Sequence, residues 1–201
     1  MRAFIVISLV LFTTVLSVAA RDKSEEKAIA TITQLGGKIE YSDNAEKNVI
    51  KVDLNNTAVT DGDMRHLLHF KELQSVDIRA TQVGDGGTQY LGFLKNLRFL
   101  NMFRTNLSDA GLDRLQNLKN LETLLIGRTK VTDDGLQYVG KFSRLKKLSV
   151  FETAVTDQGL KHLEKLQSLE VLLIGGSKIS DEGARSIQKA IPRLAFREDV
   201  T

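Results

Sequence analysis

The sequence predicts an α/β solenoid, a curved stack of short coils with parallel strands on the concave side and short helices on the convex side. Three observations predict it. A 24-residue pattern recurs six times between Val49 and Ala190, and a period in this range marks a stacked array. In each copy the apolar residues first alternate and then recur every three residues, as in Leu148 and Val150 followed by Leu160, Leu163 and Leu166, which reads as a strand and then a helix. One such coil cannot cover its own apolar stripe, so each must bury it against the next.

Residues 1–20 begin Met1-Arg2, run uncharged from Ala3 to Ala20 and finish Val18-Ala19-Ala20. A basic start, an apolar middle and small exit residues predict a secretory signal peptide cleaved after Ala20, and so a secreted or periplasmic protein. The alternative is an uncleaved membrane anchor made by residues 3–20. Residues 21–48 are predicted to cap the stack, because the first apolar coil would otherwise face water. Ser24-Glu25-Glu26 starts a helix through Ala28, Ile32 and Leu35 that Gly36-Gly37 ends. Ile39 and Tyr41 then alternate into a strand that turns at 42–48 and pairs with the first copy.

Residues 49–190 form the six copies, with Val49, Leu73, Leu97, Leu121, Leu145 and Leu169 as their first positions. Strands stacked about 4.8 Å apart need less room than the helices outside them, so the stack bends toward the sheet. Position nine carries a hydroxyl every time, Thr57, Thr81, Thr105, Thr129, Thr153 and Ser177. We read these as a structural ladder, each hydroxyl bonding backbone groups of adjacent turns. Position thirteen is always aspartate: Asp61, Asp85, Asp109, Asp133, Asp157 and Asp181. Five of these follow a Ser or Thr just before an apolar run, which reads as helix capping, with the carboxylate favoured by the helix dipole. Glycine fills position fifteen in five copies and Asp63 in the first. A glycine there weakens the helix, so its recurrence predicts close backbone approach between neighbouring coils. In residues 191–201, Ile191, Leu194 and Phe196 repeat the strand pattern a last time, and the edge is guarded by Arg193, Arg197, Glu198 and Asp199.

The full pattern is clearest at Leu121, Leu124, Ile126, Thr129, Val131, Thr132, Asp133, Gly135, Leu136, Val139 and Phe142. Across residues 49–190 it resembles the leucine-rich repeat family. Repeats with these turns occur in bacterial exported proteins and, with cysteine in place of threonine, beside F-box domains. Exported animal and plant proteins of this kind usually carry disulfide-bonded caps, and this chain has no cysteine. The resemblance therefore implies a bacterial exported protein. An adaptor role like that of the F-box-linked proteins is disfavoured by the predicted signal and the 28 residues between it and the repeats.

The positions expected to point out of the sheet are three, five, seven and eight. They gather Phe99, Phe103, Leu125, Phe151 and Leu173 into an apolar area bordered by Arg104, Arg128 and Lys147. Exposed apolar surface with a cationic rim is predicted to bind a protein or peptide. Gly127, between Phe103 and Phe151, is expected to leave a slot about 9.6 Å wide, two strand spacings. The alternative is that the phenylalanines fold over the glycines and shield the sheet. Removing Arg2 with the signal takes the net charge from +3 to +2, too little for a nucleic-acid binder without a concentrated patch. No cofactor or metal site is expected, since His66 and His69 are two ligands without a third. No catalytic motif is present, and the nearest approach to an enzyme is Asp53 beside Asp77, where two carboxylates could share a proton. A further alternative is a self-associating envelope protein whose open edges stack.

Overall fold

The computed structural model describes residues 22–198; the predicted signal peptide lies outside the described residues. Helix α1 (Lys23–Gln34) starts at Asp22, whose carboxylate accepts from the Ser24 N–H and hydroxyl. It ends where Gly36 turns left-handed at φ +85°. Its apolar face, Ala28 and Ile32, is buried. Strand β1 (Lys38–Tyr41) follows and runs antiparallel to β2 (Val49–Asp53), the strand of the first coil.

From β2 onward every neighbour is parallel. Strands β3 (Ser75–Asp77), β4 (Phe99–Asn101), β5 (Thr123–Leu125), β6 (Lys147–Ser149), β7 (Val171–Leu173) and β8 (Ala195–Arg197) stack in chain order into one open eight-stranded sheet. The register keeps equal positions opposite one another, as in Leu100↔Leu124 and Leu124↔Leu148. The outer helices are α2 (Asp85–Leu91), α3 (Asp109–Leu115), α4 (Asp133–Val139), α5 (Asp157–Leu160) and α6 (Asp181–Ala190). The first coil has a 3₁₀ helix, Asp61–His69, in that place. The core is one continuous strip between sheet and helices, in which Leu100, Leu124 and Leu148 of the strands and Leu112, Leu115 and Leu136 of the helices are fully buried. Coil stacking thus supplies the hydrophobic driving force that no single coil holds.

Two expectations about the turns need correcting. From the second coil on, the parallel strands span positions three to five only, so positions seven and eight lie in the turn that follows. At position eight the backbone is left-handed in every coil: Asn56, Ala80, Arg104, Arg128, Glu152 and Gly176 have φ between 48° and 68°. Only one of these is glycine. The strain is held because the position-eight N–H donates to the position-seven carbonyl of the next coil, as Ala80 does to Phe103 (2.8 Å) and Arg128 to Phe151 (2.8 Å). Ala80→Gly is expected to raise stability by about 1 kcal/mol, since a left-handed non-glycine residue carries a penalty of that order. A chemical-denaturation midpoint no higher than wild type would contradict this.

The second correction concerns which side chains join one coil to the next. The position-nine hydroxyls stay within their own coil, donating three residues back, as Thr105 does to the Met102 carbonyl (2.7 Å) and Thr129 to Ile126 (2.6 Å). The joining is done by the aspartates. Asp109 accepts from the N–H (2.8 Å) and the hydroxyl (2.7 Å) of Thr132 in the following coil. Asp85 does the same with Ser108, Asp133 with Thr156 and Asp157 with Ser180, while Asp61 takes the Gly84 N–H alone. The residue preceding each aspartate is the N-cap, and the aspartate is the first helical residue. The Ser180 hydroxyl and N–H hold the Asp157 carboxyl below its ordinary value. In the first coil, which has no coil beneath it, Asp63 instead closes a capping box with Thr60.

Candidate functional site

The site follows from the turn geometry. Strands β4 to β6 bring Phe103, Gly127 and Phe151, all at position seven, side by side on the concave edge of the sheet. The expected slot over Gly127 is closed: the two rings tilt toward each other at 39° with centroids 6.3 Å apart. A Cβ on Gly127 would lie 3.0 Å from the Phe103 ring and 2.8 Å from the Phe151 carbonyl, so glycine is what lets the rings converge. Asn101 and Ser149, whose side-chain oxygens accept from the Phe103 and Phe151 N–H groups, are buried.

The left-handed turn at Arg128 lifts its guanidinium over both rings, 5.7 Å from the Phe103 centroid and 5.8 Å from that of Phe151. Glu152, at the same position of the next coil, fixes it there by two parallel hydrogen bonds of 2.7 and 2.8 Å. Paired bonds of this kind orient a guanidinium as well as hold it. The Arg128 hydrogen bond keeps the Glu152 carboxyl below its ordinary value. The cation and both rings therefore form one fixed platform, with the Arg128 side chain 45% exposed.

Beside it lies a hollow of about 380 Å³ whose wall includes Arg79, Arg104, Phe103 and Leu125. Phe99, Phe103, Leu125, Phe151 and Lys147 are half-buried, and Arg104 and Arg128 are exposed. Leu173 is 1% exposed; this corrects its expected place on the binding surface, because a side chain sealed under its neighbours reaches no partner. The apolar area is thus shorter than expected.

The Asp53 and Asp77 pair is in register on β2 and β3, but each carboxylate is already engaged. Asp53 accepts from the Asn55 N–H and side-chain amide. Asp77 accepts from the Arg79 N–H (3.0 Å) and the Asn101 amide (3.1 Å). Burial pushes the Asp53 carboxyl up, yet the Asn55 hydrogen bonds outweigh it and leave a net depression, the reverse of a carboxyl that retains a proton. Among the described residues no group of three His, Cys, Asp or Glu side chains could hold a metal.

Sequence reasoning missed the cross-coil ion pairs. Glu122 on the second position bridges Arg98 and Lys146 of its two neighbours, and Arg128 pairs with Glu152. The signal was present as opposite charges 24 residues apart, the repeat length.

Comparison with known proteins places this geometry. A family profile described as "Leucine Rich repeat" matches residues 165–187. No curated protein matches the sequence. Among solved structures, the internalin inlC2 of Listeria monocytogenes superposes with a TM-score of 0.57 at 19% identity, over 90% of this chain and 84% of that one. The internalin inlF of the same organism gives 0.53 at 17% identity, over 90% of this chain. The present chain spans 56% of the length of inlF. With its in-register parallel strands, its helices on one face and these structural neighbours, the chain has the fold of a leucine-rich repeat solenoid.

Proposed function

We propose that this protein is an exported, non-catalytic scaffold that holds a protein or peptide segment against the concave face of its third to fifth coils. The observation that carries the reading is the Phe103–Arg128–Phe151 platform. It is a half-exposed aromatic pair capped by a cation whose orientation is set before any partner arrives, so little conformational freedom is lost on binding. Aromatic and arginine side chains are also the usual anchors of protein interfaces. The hollow beside the platform is walled by Arg79 and Arg104, which favours a segment with a carboxylate next to an apolar side chain.

The test is affinity capture from the native envelope with wild type, with Phe103→Asp/Phe151→Asp and with Arg104→Glu. We expect the double variant to lose at least about a hundredfold in affinity for any partner that wild type retains, the sum of two anchors of ordinary strength. Arg104→Glu guards against misfolding of the double variant, because its guanidinium makes no hydrogen bond or ion pair among the described residues. If both folded variants keep every partner held by wild type, the concave face is not the site.

A further inference from the structure

The two long edges of the solenoid carry opposite charge. Where each coil enters its helix, positions twelve to fifteen hold nine carboxylates and no lysine or arginine over the six copies. Where each coil leaves its helix and returns to the sheet, positions twenty to twenty-four hold seven cations and two carboxylates. Six of those cations are lysines, one per coil: Lys71, Lys95, Lys119, Lys141, Lys165 and Lys189.

The return loops are held in line by hydrogen bonds from coil to coil. Asn96 donates to the Lys71 carbonyl (2.9 Å) and Asn120 to the Lys95 carbonyl (2.9 Å), so Lys71, Lys95 and Lys119 stand at the same position of adjacent coils, and Lys141, Lys165 and Lys189 follow two positions earlier in theirs, the last at the end of α6. All six are exposed, and none takes part in an ion pair among the described residues. Lys119 and Lys141 reach only the carbonyl and side-chain oxygens of Gln116, and Lys141 also the Tyr138 ring. Two of the three large apolar side chains exposed among the described residues stand on this same edge, on neighbouring coils: Leu68 (41% exposed) and Phe93 (71%).

We propose that this edge docks on an anionic lipid bilayer. A row of unneutralised ammonium groups fits a surface of lipid phosphates, and an aromatic and an aliphatic side chain standing out among them fit the boundary between headgroups and acyl chains. Single-stranded nucleic acid would match the charge, but the surfaces that bind it set aromatic side chains along a basic groove for successive bases. This edge has a single exposed phenylalanine among the described residues, Phe93. The carboxylate edge faces away and is repelled by the same surface, which fixes the orientation. No described helix is long and apolar enough to cross a membrane, so the contact is peripheral. It is independent of residues 3–20, and it leaves the concave face free.

The test is cosedimentation of the chain from Arg21 onward, which contains every described residue, with vesicles of phosphatidylcholine alone or mixed with phosphatidylglycerol. We expect binding to the mixed vesicles only. Lys71→Gln/Lys95→Gln/Lys119→Gln should weaken it about a hundredfold, at about fivefold per lysine, and Phe93→Ser about tenfold. Unchanged melting temperatures would show that both variants fold. Equal affinity for neutral vesicles, or no loss in the triple variant, overturns the proposal. So does binding to duplex DNA but not to vesicles.

Discussion

Replacing Gly135 by alanine is expected to destabilise the protein by about 3 kcal/mol, the upper range for forcing a methyl into a filled space. For a chain of this size that lowers the melting temperature by roughly 10 °C. The added Cβ would overlap Asp109 Oδ1 and lie 2.9 Å from Leu112 Cδ1 and 3.0 Å from Val131 Cγ1. It therefore strikes the carboxylate that ties the third coil to the fourth. Asp109→Ala alone should cost about 2 kcal/mol, because the Thr132 N–H and hydroxyl lose a charged acceptor. The two changes are expected to couple: with Asp109 already alanine, Gly135→Ala should cost only about 1 kcal/mol, the residue of its apolar crowding. Urea titrations of the four proteins measure the cycle. Additive losses would show that the glycine is needed for some reason other than the clamp.

Phe142→Ala is expected to cost about 4 kcal/mol, as is usual for emptying a buried phenylalanine site. Phe142 is fully buried where the fourth coil turns from helix α4 back to β6. The same position is leucine in three other coils, Leu94, Leu118 and Leu166, so Phe142→Leu should cost no more than about 1.5 kcal/mol. The effect reaches beyond one coil, because each contacts only its neighbours and the fourth lies between two others. A denaturation midpoint for Phe142→Ala equal to that of Phe142→Leu would show that the cavity collapses.

The repeat period exposed the architecture because the same physical demand is written six times. Leu100, Leu124 and Leu148 had to face one way for the coils to stack, and alternation in the sequence recorded it. The connections between coils were harder to read. Aspartate at a helix start has an adequate local explanation, and nothing local shows that its carboxylate serves a threonine 23 residues ahead. Periodicity alone also attributed the recurrent glycine to backbone approach, whereas a side chain fills the space. At the candidate site the residues were legible and their arrangement was not. Phe103, Gly127 and Phe151 were recognised as neighbours, but the closing of the rings depends on the left-handed turn at position eight, where arginine and glutamate give no hint of positive φ. Leu173 was misplaced because alternation says which side of a strand a residue takes, not whether adjacent side chains cover it.

The aspartate clamp has a direction: each coil offers an acceptor forward and a donor backward. Any coil can therefore succeed any other without new chemistry at the joint. A duplication of one 24-residue unit would arrive with both halves of its connection in place, whereas duplication of a fraction of a unit would lack one. Lengthening of this protein over generations is thereby quantised, and the concave face can be widened in whole increments without redesign of the body that carries it.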